Sequence, residues 1–318
     1  MKLIFCGTPQ FARPSLERLI QERYEIVLVM TNPDEPSGRR YQLKASPVKE
    51  TALGDGLVVF QPQKLKSPFT GAFLSHYKPD AIVVVAYGHI IPQWLIDLPR
   101  FGCINVHASL LPKYRGAAPI PWAIVRGERV TGVTTMKIDA GLDTGDMLLK
   151  RETEIRADDT AESLGDRLSI MGADLLVETL RGLERREITP RRQENADATL
   201  APMLKKEDGR VDWSLPAEQI ERRVRGFRPW PGAYTSFRGQ GFHLRRAAVA
   251  PGDTRAMVPG TLIAQDHRLL VACGGETWLE LQEVQLEGRR HLSAREFMNG
   301  IRLGANEKLG ATGHHAES

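Results

Sequence analysis

The run Ala81-Ile82-Val83-Val84-Val85-Ala86-Tyr87 is apolar without interruption. A strand with one wet face alternates; a short continuous run belongs to a strand covered on both faces. Lys2–Cys6 and Glu25–Met30 read the same way, and Leu57–Phe60 is a shorter strand. Phe11–Arg23, Pro47–Leu53 and Pro68–Tyr77 carry helical spacing between them. Alternating strands and helices predict an α/β fold, a doubly wound, mostly parallel, Rossmann-like sheet. Its site is expected at the carboxyl ends of the strands.

Outward from that run, Cys103–His107 is another strand and Ala118–Arg126 a helix. Thr131–Ile138 and Met147–Glu154 read as two more strands. Thr160–Gly182 is amphipathic, with Leu164, Leu168, Leu175, Leu176 and Leu180 on one side. The pattern then breaks. Residues 189–208 are polar, contain Pro190 and Pro202, and keep no period, as a linker does. A helix over Pro216–Phe227 precedes five short strands, at Ala233–Phe237, Phe242–Val249, Gly260–Ala264, Leu269–Ala272 and Thr277–Leu286. They predict a small OB-like β-barrel. The expected layout is an α/β domain over 1–188, a linker over 189–208 and a barrel domain over 209–318, with a frayed polar tail from Gly304.

Length and composition fit that layout. A chain of 318 residues can bury two cores, and 42% hydrophobic with 26% charged residues is an ordinary globular balance. A net charge of +4 does not by itself demand a polyanionic partner. Cys6, Cys103 and Cys273 form no CxxC pair, so they are expected as buried thiols in a reducing compartment, with no metal. Strand-like residues begin at Lys2, and Arg13, Glu17 and Arg18 come too early for a secretory apolar segment. A cytoplasmic monomer is the expectation.

The turn Phe5-Cys6-Gly7-Thr8-Pro9 lacks the G-x-G-x-x-G that a dinucleotide enzyme needs for backbone to approach a pyrophosphate. A nicotinamide oxidoreductase is disfavoured, although it would share the sheet. The chemistry-bearing stretch is Ile104-Asn105-Val106-His107-Ala108-Ser109-Leu110-Leu111-Pro112-Lys113-Tyr114-Arg115-Gly116-Ala117-Ala118-Pro119-Ile120. Asn105 and His107 are two apart at a strand end, so both side chains share a face. An amide donor beside an imidazole suits attack of an amine on a carbonyl carbon, because negative charge grows on the oxygen. Taken alone, such a buried pair is more often structural. A third member stands in the turn Asp139-Ala140-Gly141-Leu142-Asp143-Thr144-Gly145-Asp146. One of its carboxylates near His107 would orient the ring; the same turn could simply be a polar hairpin. The spacing does not match a calcium loop.

Together the stretches N-V-H-A-S-L-L-P-x-x-R-G-A-A-P-I and G-L-D-T-G-D resemble the folate-dependent formyltransferase family. The resemblance implies that Asn105 and His107 polarise a formyl group. It implies that Asp143 assists His107 and takes up the amine proton. Ser109, Leu110, Leu111 and Pro112 would help bind 10-formyltetrahydrofolate, the co-substrate. Ala86, Tyr87 and Gly88 would lie along its pterin pocket.

The family's acceptors include a purine precursor, a nucleotide sugar and methionyl-tRNA. Ala108 after His107, the second domain, and the stretches Asp212-Trp213-Ser214 and Phe227–Ala233 are similar to the tRNA branch, whose partner is initiator Met-tRNA. Seven arginines lie between Arg222 and Arg246 with no Asp or Glu, interleaved with Phe227, Trp230, Tyr234, Phe237 and Phe242. Cations among aromatics suit RNA, though the same pattern also describes a solvated face over an aromatic core. The implied tRNA-binding residues are Arg222, Arg225 and Arg228, with Lys205 and Lys206 in the linker. The long loop 31–47 adds Arg39, Arg40 and Lys44; Arg39 matches a family arginine, whereas Arg40-Tyr41-Gln42 depart from the family's usual Gly and Lys. An RNA-binding protein without catalysis is the other class of reading; it requires Asn105 and His107 to be dispensable.

Overall fold

A computed structural model describes residues 1–37, 42–251, 257–304 and 307–310. The chain divides into two compact units. The first comprises Met1–Pro119, Val130–Glu154 and Leu164–Pro202; the second comprises Ile120–Arg129, Ile155–Ser163 and the chain from Met203.

The chain begins β1 (Lys2–Gly7), α1 (Arg13–Gln21), β2 (Glu25–Met30), β3 (Glu35–Ser37), β4 (Gln42–Lys44), α2 (Pro47–Gly54) and β5 (Val59–Phe60). It continues α3 (Pro68–His76), β6 (Ala81–Val85), α4 (Gln93–Ile96), β7 (Cys103–His107), α5 (Pro119–Val125), β8 (Val130–Lys137), β9 (Met147–Glu154) and α6 (Ala161–Glu184). One sheet runs β5-β2-β1-β6-β7-β8-β9. Pairing is parallel from β5 to β7 and antiparallel at β7–β8 and β8–β9. The antiparallel edge follows from chain length: residues 138–146 are too few for the crossover that a parallel neighbour of β8 would need. The apolar runs are buried as their patterning requires. Every residue of β6 is buried, and Leu3, Ile4, Phe5, Leu28, Val83 and Ile104 are wholly so. Ser46 and Ser67 cap α2 and α3 by accepting from Lys49 N and Thr70 N, each followed by a proline suited to a first helical turn.

The loop expected over 31–47 carries a small hairpin, β3–β4, with Glu35 opposite Lys44. At its base, Lys49 Nζ bonds Asp34 Oδ2 at 2.5 Å and Gln61 Oε1 at 2.8 Å. Lys49 and Gln61 together hold the Asp34 carboxyl below its ordinary pKa. Arg39 and Arg40 lie outside the described residues.

The second unit adds α7 (Ala217–Gly226), β10 (Ala233–Phe237), β11 (Gln240–Ala250), β12 (Leu262–Gln265), β13 (Arg268–Cys273), β14 (Thr277–Leu286), β15 (Leu292–Ser293) and α8 (Ala294–Gly300). The sheet runs β10-β11-β14-β13-β12, with β15 on β14. Its open edges are joined by residues expected to be frayed. Leu262 N donates to Glu307 O at 2.8 Å, and Gly310 N donates to Ser236 O at 2.8 Å. Arg238 clamps this segment through two bonds to the Glu307 carboxylate, both at 2.8 Å. A polar composition hid the role of Glu307–Gly310, because closing a barrel takes backbone groups. Helix α8 was also unexpected, although Ser293 and Glu296 form a capping box that the sequence shows as S-x-x-E. Its Phe297 packs on Phe237 and Phe242, at ring separations of 5.5 and 5.3 Å, in the middle of the barrel. No helix among the described residues is long and apolar enough to cross a membrane.

One close approach fixes the strand that carries the sequence's Asn–His pair. Val106 points away from Asn105 and His107, and α6 lies over it at Gly172, where a Cβ would come within 2.8 Å of Val106 Cγ1. Gly172→Val is expected to cost about 1–3 kcal/mol by overpacking, read as a lower denaturation midpoint at unchanged m-value.

Candidate active site

Strand β7 delivers Asn105 and His107 to the carboxyl edge of the sheet, beside the ends of β1 and β6. The turn after β8 brings Asp143 to them. Asn105 Nδ2 lies 3.5 Å from Asp143 Oδ1, and His107 Nδ1 lies 3.7 Å from Asp143 Oδ2. Gly116 N donates to the same Oδ2 at 2.8 Å. The three residues that the sequence singled out from two distant motifs therefore share one site. His107 is 6% exposed and Asp143 17%.

The tautomer of His107 follows from its other contact. Nε2 is 2.9 Å from the Tyr114 carbonyl oxygen, which can only accept. Nε2 therefore carries a proton and donates it there. The lone pair that can gain or lose a proton is on Nδ1, on the side of Asp143. Nε2 is thus unavailable to a substrate oxygen, and any contact from the imidazole to the reacting group must come from Nδ1. The 3.5 and 3.7 Å separations are slack for hydrogen bonds, as catalytic contacts often are before substrate closes them.

The surrounding backbone is held in unusual conformations. Tyr114 has φ of +62° and Asp143 of +53°, and Ala86 at the end of β6 has +46°. Each costs a non-glycine residue on the order of 1–2 kcal/mol, and such outliers concentrate at functional sites. Gly116, at φ +120°, has no such cost, and a Cβ there would meet Ala201 O at 2.6 Å. Sequence reading missed the groups that hold these turns: Tyr114 and Gly116 through backbone, and the buried Arg115 and Gln193 through side chains. A charged residue inside R-G-A-A-P was a legible hint of the first; nothing in polar residues 189–208 marked Gln193.

The residues implied for the folate divide into two kinds. Ser109 and Leu111 are wholly buried. Ser109 Oγ donates to Lys113 O at 2.6 Å, and Leu111 N donates to Thr134 Oγ1 at 3.1 Å, so both shape the loop. Lys150 Nζ donates to Leu111 O, and burial, more than the nearby Arg191, lowers the pKa of this amine. Leu110 and Pro112 keep exposed surface, as do Ala86 and Gly88. Tyr87 is 2% exposed, and neither its hydroxyl nor the buried Asn32 Oδ1 has a hydrogen-bond partner among the described residues. A Cβ on Gly88 would lie 3.5 Å from Asn32 Nδ2, so Gly88 and Asn32 are neighbours beyond the ends of β6 and β2, while Tyr87 packs into the core with Cys6 and Met30. A cavity of about 540 Å³ bordered by Arg18, Leu149 and Arg181 lies elsewhere in this unit. The Arg18–Asp174 and Arg151–Glu178 ion pairs line it, and Asn105, His107 and Asp143 do not.

In the second unit the basic run separates into spent and free charges. Arg222 pairs with Glu218 and Arg225 with Glu221, each one turn apart on α7, and Arg225 Nη1 also donates to Asp159 O at 2.7 Å. Arg238 is taken by Glu307. Arg228 and Arg246 are exposed and meet no carboxylate among the described residues. Arg228 depresses the pKa of Arg245, secondary to burial; Arg245 and Lys206 depress that of His243, also secondary to burial. Arg228 thus lies near Arg245, and Arg245, Lys206 and the Glu287 carboxylate lie near His243, whose ring is 6.1 Å from Tyr234; Arg245 Nε also donates to Gln285 Oε1 at 3.0 Å. Trp230 is 55% exposed, while Phe227, Phe237 and Phe242 are buried in the core. The aromatic interleaving is thus mostly core. Lys205 is exposed, as is Lys44 in the first unit.

The model of the formyl transferase family matches residues 1–180, and that of the formyl transferase C-terminal domain matches 203–302. The chain belongs to the formyl transferase family. It is 56% identical to the methionyl-tRNA formyltransferase of Koribacter versatilis over 311 residues, 98% of this chain and 99% of that protein. It is 54% identical to the methionyl-tRNA formyltransferase of Acidobacterium capsulatum over 312 residues, 98% of this chain and all of that one. Among solved structures, HypX from Aquifex aeolicus in complex with tetrahydrofolic acid shares the fold at a TM-score of 0.63 and 18% identity. That match spans 93% of this chain and 46% of HypX. The family assignment agrees with a site built for acyl transfer and with the absence of a dinucleotide turn at Gly7.

Gly116→Ala tests the packing behind Asp143. The added methyl meets Ala201 O and displaces the N–H that holds Asp143 Oδ2. Loss of that charge-assisted bond, on the order of 1.5–3 kcal/mol, predicts a kcat at least about 10-fold lower and a reduced Tm.

Proposed function

We propose that this chain transfers the formyl group of 10-formyltetrahydrofolate to the α-amino group of methionine on initiator Met-tRNA. The observation that carries the reading is the convergence of Asn105, His107 and Asp143 at the carboxyl edge of the first unit's sheet. In this transfer the amine nitrogen bonds to the formyl carbon and the bond from that carbon to the folate nitrogen breaks. The amine loses one proton and the released folate nitrogen gains one, so charge and atoms balance.

The chain's residues match those needs. Asn105 Nδ2 supplies an N–H toward the oxygen on which negative charge grows; such a donor is worth about 2.7–4 kcal/mol. His107, with Nε2–H held by Tyr114 O, accepts or returns a proton at Nδ1. Asp143 Oδ2, fixed by Gly116 N, stabilises the resulting imidazolium. Ser109–Pro112 and Ala86–Gly88 would hold the folate, which supplies the activated formyl carbon. The monomer and cytoplasmic expectations stand as part of this proposal.

The acceptor reading rests on full-length similarity to methionyl-tRNA formyltransferases and on the basic surface of the second unit. Lys205, Lys206, Arg228 and Arg245 are the cations offered to tRNA phosphates, with His243 and Tyr234 beside them. Arg222 and Arg225, paired on α7, contribute less than the sequence implied. Arg39, Arg40 and Lys44 belong to the loop proposed to meet the acceptor end. Domain roles follow: chemistry in 1–188, tRNA grip in 209–318, and 189–208 between them.

Replacing both Arg228 and Arg245 by Ala should raise the tRNA KM several-fold at unchanged kcat. It should also flatten the log-affinity against log-salt slope by about 1–2, since each lost phosphate contact removes roughly 0.7–0.9. Arg222→Ala should move the slope by less than about half of that. Equal slopes in the wild type and the Arg228/Arg245 variant would remove this surface from tRNA binding.

A further inference from the structure

Gln193 lies in the stretch that sequence alone reads as linker, yet it is 3% exposed. Its side-chain amide is fully committed. Nε2 donates to Asp143 O and to Gly145 O, both at 2.8 Å, and Oε1 accepts from Arg115 Nε at 2.9 Å. Arg115 Nη2 in turn donates to Asn195 Oδ1 at 3.1 Å. Backbone bonds extend the same join. Arg115 N donates to Thr199 O at 2.8 Å, Ala201 N donates to Arg115 O at 2.7 Å, and Tyr114 N donates to Thr199 Oγ1 at 2.9 Å. Met147 and Arg191 exchange two N–H···O bonds of 2.8 Å. Residues 191–201 are thus bonded to both turns that carry the reacting groups, the one holding Tyr114 and Gly116 and the one holding Asp143.

The geometry points to Gln193 as a positioning residue for Asp143, set in the connecting segment rather than in either motif. The argument rests on the reading of Asp143 given above. Asp143 has a left-handed backbone, φ +53°, and its carbonyl accepts from Gln193 Nε2. The Gln193 amide nitrogen spends its two hydrogens on carbonyls two residues apart. It therefore holds the turn at Asp143 and Gly145 in the conformation that aims the carboxylate at His107 and Gly116 N. The amide oxygen meanwhile anchors Arg115, whose backbone lies between Tyr114, the acceptor of His107 Nε2–H, and Gly116, the donor to Asp143 Oδ2. One side chain thus sets the position of both partners of the His107–Asp143 contact. An apolar residue at 193 would leave two buried carbonyls and a guanidinium N–H without partners.

The test is a double-mutant cycle on purified full-length enzyme, with saturating 10-formyltetrahydrofolate and Met-tRNA, and Tm recorded for each variant. Gln193→Leu should lower kcat about 10-fold or more, with KM for both substrates within about 3-fold. In an Asp143→Asn background the same substitution should lower kcat by less than about 2-fold, because the group it positions is already gone. Equal fold-losses in both backgrounds, or an unchanged kcat in the single variant, overturn the inference. An Asp143→Asn variant with unchanged kcat overturns the reading of Asp143 itself and this inference with it. Should Gln193→Leu fail to melt cooperatively, Gln193→Glu decides by the same criteria: it keeps the volume and Arg115's partner but has neither N–H donor.

Discussion

The Asp143 carboxylate is where three separately encoded segments meet. It faces Asn105 and His107 from the end of β7, and it accepts Gly116 N–H from the turn that follows. A carboxylate at the rim of a buried sheet is costly to desolvate unless charge-assisted hydrogen bonds replace water. Meeting that requirement fixes the conformations around it. The β8–β9 turn must bend through a left-handed residue, the loop after β7 must bring Gly116 close, and the connecting segment must cover both. The antiparallel edge of the sheet serves the same end, because a tight return from β8 to β9 places a turn beside the end of β7.

The site is organised as a rigid strand with two held turns, and the sheet supplies the rigidity. Val106 is locked under α6 at Gly172, so neither Asn105 nor His107 can move without shifting the strand. The turns carry the strain, at Tyr114, Asp143 and Ala86, and hydrogen bonds from elsewhere in the first unit hold two of them. In the proposed transfer a pre-set donor and base would avoid reorganisation when charge develops, usually the largest single contribution to rate. The second unit uses a different economy. Its barrel is closed by backbone and by the Arg238–Glu307 clamp, while Lys206 and Arg228 are exposed and Arg245 is half-buried against Gln285.

Much of this was written legibly in the sequence. Continuous apolar runs named the strands because burial on both faces leaves no room for alternation. The i, i+2 spacing of Asn105 and His107 named their common face. Spacing alone left Asp143 as one of three carboxylates in its turn, and the motif resemblance chose it; in the structure it lies beside Asn105 and His107 and accepts from Gly116 N. What the sequence hid was of two kinds. Backbone partners carry no side-chain signature, so the roles of Tyr114 O, Gly116 N and residues 307–310 could not be read. Side chains whose partners are distant, such as Gln193, look like any polar residue in a linker. The pairing of Arg222 and Arg225 was different: Glu218 and Glu221 stand four residues earlier, a helical spacing from which the ion pairs could have been read but were not.

The central claim is that the imidazole held by Tyr114 O, beside Asp143, performs formyl transfer while tRNA is gripped elsewhere. A single-turnover measurement on His107→Ala tests it most directly, with enzyme in excess, labelled 10-formyltetrahydrofolate and charged initiator Met-tRNA, and with tRNA affinity measured on the same protein. The account predicts a transfer step slower by about 10²-fold or more with tRNA affinity within about 2-fold of wild type. An unchanged transfer rate, or a loss that higher tRNA concentration restores, would contradict it.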